Sequence, residues 1–433
     1  MSARKLSRPL YAFYGDDFTG STDVLESLGI NGVDTVLFTC MPTSRELAAF
    51  SPCRAIGIAG ESRSRTPAWM SLNLPPVFRA LRRLGAPINH YKVCSTFDSS
   101  PRVGSIGRAM EIGREIFGPQ PVPIVVGAPR LGRSVVFGNL YATAGGEYYR
   151  IDRHPSMRRH PVTPMTEPDL RKHLNRQTSL RTGLVDLTSF PSRSIDAQFQ
   201  KQQEGAQAVL FDGFNDAMLE QTARLIWKRA ASRPVFAVGS SGLTHGLLLH
   251  WRALGLIPAA KPIAPSKPVD RLLVLSGSCS PVTARQIRRA RQDGFSSIGL
   301  DRQAPWASQA AHALAALARE ESVVLYTALG PQRPDLNRGE MFGEALGKLL
   351  RRIVLESKVR RILIAGGDTA TYAIKQFGLH ALTFAASLAP GVPLCGVHAP
   401  GSPFHGIELA LKGGQMGSDD FFAHVRDGVA EMG

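Results

Sequence analysis

The sequence predicts an α/β protein of two α/β domains, each built on a mainly parallel sheet, with a cleft between them. Three observations carry this. Short apolar runs alternate with helical periods along the whole length, the pattern of successive βα units. The chain has 433 residues, 43% hydrophobic and 20% charged, which is ordinary globular composition. At roughly 150 residues per domain that length suits two or three domains. Between Gly255 and Asp270 the periodicity lapses, and Pro258, Pro262, Pro265 and Pro268 mark a semi-rigid linker. The split gives a first domain at 1–260 and a second at 268–433.

In the first domain, Leu10–Tyr14, Val33–Thr39, Arg54–Ala59, Tyr91–Cys94, Ile124–Val126 and Val209–Phe211 are short, apolar and β-branched or aromatic, and read as strands. Asp23–Leu28, Ser105–Phe117 and Asp216–Ala230 carry the helical period. In the second, Leu272–Leu275, Val323–Tyr326, Ile362–Ile364 and Leu394–Val397 read as strands. Thr283–Gln292, Ala310–Arg319 and Glu344–Leu355 read as helices. The polar, Arg- and His-rich stretch Arg150–Arg181 has weak periodicity and reads as a solvated excursion from the first domain.

Several classes are excluded early. Five cysteines, Cys40, Cys53, Cys94, Cys279 and Cys395, are scattered without a C-x-x-C pair, which argues against a disulfide framework and for a reducing cytoplasmic location. No apolar run approaches the roughly 18 residues of a membrane span, and the segment after the basic N-terminus is too short for a signal-peptide core. The net charge of +16 suggests an anionic partner. No helix-turn-helix, zinc-finger or aromatic RNA-binding pattern accompanies it, so nucleic acid is not the expected partner.

Chemistry concentrates in loops that follow strands. Tyr14-Gly15-Asp16-Asp17-Phe18-Thr19-Gly20 puts two carboxylates at a strand end, where ligands of parallel sheets bind. One can cap the next helix; the other is left for acid–base or hydroxyl-binding work. Gly60-Glu61-Ser62-Arg63-Ser64-Arg65 offers an arginine fork for a carboxylate. Tyr91-Lys92-Val93-Cys94-Ser95-Thr96 offers a cation and hydroxyls, with Cys94 read as packing. In the second domain, Ser276-Gly277-Ser278-Cys279-Ser280, Gly366-Gly367-Asp368-Thr369 and Lys412-Gly413-Gly414-Gln415-Met416-Gly417 are small-residue loops suited to phosphate, the first two opening helices. None is a Walker A or a G-x-G-x-x-G motif. A hydroxy-acid site in one half and a phosphate site in the other suit phosphoryl transfer.

These motifs, with Gly132–Tyr141, His160-Pro161-Val162-Thr163-Pro164-Met165 and Asp420-Phe421-Phe422, resemble the four-carbon acid sugar kinase family over nearly the whole chain. The Lys92–Ser99 and His160–Met165 elements are most similar to the branch that phosphorylates 3-oxo-tetronates. The resemblance implies an ATP-dependent phosphotransferase with an alcohol acceptor, making the 4-phosphate of a 3-oxo-tetronate. It implies that Asp16, Asp17, Arg63, Lys92, Ser95 and Thr96 hold the acid, with Asp17 assigned as the base. Ser278, Gly366, Gly367, Asp368, Thr369 and Gly414 would contact ATP. Mg2+ would be carried largely by the phosphates, with no residue assigned to it. The partners are then a small sugar acid and ATP, without nucleic acid or membrane, in a possible homodimer. Two departures, Asn139 where relatives have His and Gly-Gln-Met-Gly at residues 414–417, open related acids: 3-oxo-isoapionate, D-threonate and D-erythronate. A metabolite sensor or nucleic-acid-binding regulator without activity is the non-enzymatic alternative.

Overall fold

The computed structural model describes residues 8–160, 162–191, 194–260, 265–301, 306–330 and 339–431. The chain gathers into two compact units. The first comprises Met1–Asp16, Asn31–Thr35 and Met41–Ala260; the second comprises Asp17–Ile30, Val36–Cys40 and Lys261–Gly433. In chain order the strands are β1 (Tyr11–Gly15), β2 (Thr35–Phe38), β3 (Ala55–Ala59), β4 (Ile88–Lys92), β5 (Val122–Val125), β6 (Arg133–Val136), β7 (Asn139–Ala144), β8 (Glu147–Arg150), β9 (Thr182–Val185), β10 (Ala208–Phe211) and β11 (Val235–Gly239). There follow β12 (Leu272–Ser276), β13 (Ser296–Gly299), β14 (Val323–Tyr326), β15 (Arg361–Ala365), β16 (Ala381–Ala389), β17 (Val392–His398) and β18 (Glu408–Lys412).

The first unit is built on a parallel sheet in the order β3-β1-β4-β11-β5-β10-β9. Its central strands are buried on both faces, so β1 is apolar throughout. Strand β4 reads Ile-Asn-His-Tyr-Lys and is equally buried. The strand expected at Tyr91–Cys94 in fact starts at Ile88 and takes in two polar residues, Asn89 and His90. Local bonds make them fit: His90 Nδ1 bonds the Tyr11 hydroxyl, His90 Nε2 lies 3.0 Å from Gly239 O, and Asn89 Nδ2 donates to Ala86 O at 3.1 Å. Burial pushes His90 down to about 3, so it stays neutral. The helix Pro67–Arg83, absent from the sequence reading, contains Pro75 and Pro76. Met70, Leu74, Phe78 and Leu81 form its buried stripe, and that packing outweighs the backbone bonds lost to proline.

A small antiparallel sheet, β6-β7-β8, leaves the first unit's main sheet. Its first turn places Phe137 and Gly138 at φ 49° and 77°, the two-residue geometry that matches strand twist. The buried Asp212 carboxylate accepts from the N–H groups of Phe137 (2.6 Å), Gly138 (2.9 Å) and Leu187 (3.0 Å). Burial outweighs those donors and raises Asp212 to about 6. The Arg150–Arg181 stretch is not a solvated excursion. His154, Thr163, Met165, Leu170, His173 and Leu174 are all buried in it, because short turns and the helix Leu170–Asn175 fold it back onto the unit's core.

The second unit has β13-β14-β12-β15-β18 in parallel, continued by β17, β16 and the Leu37–Phe38 end of β2 in antiparallel. The helix Phe18–Ile30 belongs to this unit although it lies near the start of the chain. Its buried Glu26 fixes the β16–β17 turn by accepting from the Ser387 hydroxyl and from Gly391 N at 2.6 Å.

Candidate active site

In the first unit the predicted residues lie at the carboxyl ends of β1, β3 and β4. Lys92 is the last residue of β4, and its register partners on both sides, Gly15 and Gly239, have no side chain to crowd it. Asp16 N donates to Lys92 O at 2.9 Å and Arg63 N to Asp16 O at 3.0 Å, so the three motif segments are joined through backbone. Tyr14 and Tyr91 stack with centroids 5.9 Å apart, and Tyr91 Oη shares a 2.8 Å hydrogen bond with Ser62 Oγ, which fixes the Ser62–Ser64 turn. Burial raises Tyr14 to about 12 and Tyr91 well above its ordinary range, so both remain phenols.

Arg63 does not stand alone in its loop. Its Nη2 pairs with Asp98 Oδ2 at 2.7 Å. Asp98 is fully buried and also accepts from Thr96 Oγ1 at 2.5 Å and Thr163 Oγ1 at 3.3 Å. Thr163 N in turn donates to His160 Nδ1 at 3.1 Å. Burial alone would raise the Asp98 carboxyl; Arg63, His160 and Thr96 together outweigh it and hold the carboxyl well below the usual range. Asp98 therefore ties the Glu61–Ser64, Lys92–Ser99 and His160–Met165 segments to one charge. Ser95 and Thr96 are both buried in this cluster. Arg65, the other candidate fork, pairs with Glu61 at 2.5 Å.

Asp17 falls in the second unit, where it starts the helix Phe18–Ile30. Its Oδ1 accepts from Gly20 N at 2.5 Å, which is the capping role. Its Oδ2 points elsewhere: a Cβ added to Gly367 would lie 3.7 Å from it and 3.9 Å from Thr19 Oγ1. One carboxylate thus serves the helix with one oxygen and faces the Gly366–Gly367 loop with the other.

That loop and its neighbours form a tight cradle. Gly277 N donates to Ala365 O at 3.1 Å, Gly366 N to Lys412 O at 2.9 Å and Thr327 N to Ser276 O at 3.0 Å, so the carboxyl ends of β14, β12, β15 and β18 are stitched in a row. Side chains are excluded from it. A Cβ on Gly277 would meet Thr369 Oγ1 at 2.0 Å, and one on Gly414 would meet Ser278 Oγ at 2.6 Å. Gly366 adopts φ 116°, open to glycine alone, where the helix Gly367–Lys375 begins. The glycine run is held by Gln286, whose Nε2 donates to the carbonyls of Met416, Gly417 and Ser418 at 2.7–3.1 Å, and by Thr283 Oγ1 donating to Gly414 O at 2.9 Å. Two buried hydroxyls on this edge, Ser276 Oγ and Thr327 Oγ1, have no hydrogen-bond partner among the described residues. The side chain of Asp368 and all of Pro161 lie outside the described residues.

Exposed backbone at two helix N-termini, close-approach glycines and unsatisfied hydroxyls are what a polyphosphate requires. A sugar-binding N-terminal domain model matches residues 11–247, and a nucleotide-binding C-terminal domain model matches residues 273–422. The chain belongs to the four-carbon acid sugar kinase family. It is a sugar-acid kinase. The kinase is 41% identical to the 3-oxo-isoapionate kinase of Paraburkholderia graminis over 97% of this chain and 94% of that one. It is 30% identical to the 3-oxo-tetronate kinase of Pseudomonas fluorescens over 96% of each. Among solved structures it resembles a Salmonella typhimurium protein described as a putative tRNA synthase, with TM-score 0.77 and 26% identity over 96% of this chain and 98% of that one. A Haemophilus influenzae protein shares the fold at TM-score 0.69 and 23% identity, over 96% and 99%.

Sequence reasoning overlooked several residues of this kinase. Asp98 stood inside a quoted motif, yet nothing marked it as the partner of Arg63. Thr327 and Gln286 carry no local signal; only the adjacency of β14 to β12 and of the helix Pro281–Gln292 to the glycine run brings them in.

Proposed function

We propose that this kinase transfers the γ-phosphoryl of ATP to a terminal hydroxyl of a 3-oxo sugar acid, with the branched 3-oxo-isoapionate as acceptor. The observation that carries the choice of acid is the 41% identity to a 3-oxo-isoapionate kinase over nearly the full chain, against 30% to a 3-oxo-tetronate kinase. The straight-chain 3-oxo-tetronate is the second reading, supported by the Lys92–Ser99 and His160–Met165 elements.

In this reading the first unit holds the acid and the second holds ATP. Arg63 and Lys92 neutralise the carboxylate of the acid, while Asp16, Ser95 and Thr96 bond its hydroxyls. Asp98 is a positioning residue that acts through Arg63: its buried charge fixes the guanidinium. The N–H groups and hydroxyls around Ser278, Gly366, Gly367, Asp368, Thr369 and Gly414 grip the triphosphate, a fit supported by the excluded side chains and the unpartnered Ser276 and Thr327 hydroxyls. Magnesium carried by the nucleotide would supply neutralisation of the phosphate charge, with no residue of the chain assigned to it. Asp17 accepts the proton of the attacking hydroxyl through the oxygen not used for capping. The new O–P bond forms as the bond from γ-phosphorus to the β–γ bridging oxygen breaks, and ADP leaves. An ADP-release assay across 3-oxo-isoapionate, 3-oxo-tetronate, threonate and erythronate tests the reading. The largest kcat/KM is expected with 3-oxo-isoapionate. A tenfold preference for 3-oxo-tetronate would transfer the assignment, and no ADP release with any acid would end it.

A further inference from the structure

Lys412 ends β18 inside the phosphate cradle and is fully buried. Its Nζ has two partners, Thr283 Oγ1 at 3.3 Å and the carbonyl of Gly413 at 3.1 Å. No carboxylate among the described residues forms an ion pair with it. Buried lysines are rare, and an isolated ammonium taken out of water is costly unless an anion meets it. As a loop strap, an ammonium is a poor choice: a neutral donor would hold one hydroxyl and one carbonyl without that cost. The surroundings point to a ligand instead. Thr283 Oγ1 also donates to Gly414 O, a Cβ on Gly414 would collide with Ser278, and the Lys412 carbonyl accepts from Gly366 N. The ammonium thus lies among the loops that converge on the cradle, held against Thr283 and the start of the glycine run.

We infer that Lys412 is the phosphate-neutralising cation of the nucleotide site, a buried amine whose counter-ion is the triphosphate of ATP. The inference rests on the reading of the second unit as the ATP-binding unit. Burial lowers Lys412 to about 7, with Glu431 opposing. Among the described residues, the other charges on the elements packed around it have partners. Arg285 pairs with Asp419, Arg289 with Asp293 and Arg361 with Glu408; Asp420 and Glu431 bond His424; Glu26 holds Ser387 and Gly391; and Asp17 caps its helix. Arrival of a triphosphate favours the charged amine, so binding takes up a proton.

The test is calorimetric titration of the full-length protein with ATP and, separately, adenosine, at pH 8 in two buffers of different ionisation enthalpy. At pH 8 a group titrating near 7 starts mostly neutral, so wild type should take up about one proton per ATP and none with adenosine. Lys412→Met should bind adenosine like wild type, bind ATP at least about tenfold more weakly and take up no proton. Its Tm without nucleotide should equal or exceed that of wild type, because a buried amine has been replaced by an apolar chain of similar length. Wild-type ATP affinity and proton uptake in Lys412→Met would overturn the inference. So would a lowered Tm with adenosine binding lost as well, which would make Lys412 a strap. Failure of wild type itself to bind ATP would overturn the parent reading together with this one.

Discussion

Replacing Asp98 by Asn keeps the shape of a fully buried side chain and deletes its charge. The perturbation removes the anion from a 2.7 Å contact with Arg63 and weakens the bonds from Thr96 and Thr163. Removing one partner of a buried ion pair costs about 3–5 kcal/mol. The Arg63 side chain is 25% exposed, so water recovers part of this. About 2–3 kcal/mol remains, roughly 30- to 150-fold in an equilibrium or rate constant at 1.36 kcal/mol per decade. Because the loss acts through Arg63, it should appear as a raised KM for the sugar acid, with KM for ATP unchanged. Steady-state kinetics with each substrate varied in turn reads this directly. The pH dependence has a definite sign. The folded value of Asp98 lies below the unfolded one near 4, so its stabilisation is complete above about pH 5 and is lost as pH falls through the folded value. Acid titration of Tm should therefore be shallower in Asp98→Asn than in wild type. An unchanged KM for the acid in a variant whose Tm still falls would refute the positioning role.

Three further outcomes follow from the geometry. Arg361, fully buried on β15, donates to Glu408, to Val425 O at 2.7 Å and to Lys267 O at 2.7 Å; Arg361→Met leaves those carbonyls unmet and should cost about 3 kcal/mol, read by urea denaturation. In Gly277→Ala the new methyl meets Thr369 Oγ1, and ATP affinity should fall by tenfold or more while KM for the acid holds, as measured by titration with ATP. Asp17→Asn keeps the cap to Gly20 and should lose at least about a hundredfold in kcat with ATP binding intact, within the usual range for a general base; full activity would remove Asp17 from that role.

What the sequence made legible was set by how local the signal was. The helix Asp216–Ala230 and the strand Val323–Tyr326 have the expected bounds, because apolar period and Asn215 capping are written in adjacent residues. Strand β4 was misplaced because its His90 is satisfied by Tyr11 and Gly239, partners far along the chain. The helix Pro67–Arg83 was hidden by two prolines that its buried stripe overrides. In the site, the glycine loops and the Asp16–Asp17 pair were visible as punctuation after strands. The Asp98 network was not, since Arg63, Asp98 and Thr163 lie 35 and 65 residues apart.

The charge of +16 is explained by how the two kinds of cation are used. The chain has 40 Arg and 11 Lys. Many arginines are fastened to backbone carbonyls: Arg54 to Leu256 O, Arg82 to Ile116 O, Arg114 to Gln120 O and Gln207 O, Arg271 to Leu317 O and Ser357 O, Arg360 to Gly406 O. A planar fork suits that task because its several donors bridge loops and strand ends. These arginines therefore stitch backbone and carry little functional information. The lysines divide differently. Among the described residues only Lys92 and Lys412 are buried, and each is the last residue of a strand inside its unit's parallel sheet. A compact ammonium at the carboxyl end of a buried strand does no stitching that an arginine would not do better. Its worth lies in meeting an anion in the cradle above the sheet. The same reasoning that singled out Lys92 applies to Lys412, and under the proposed function the pair offers one cation to the acid and one to the triphosphate.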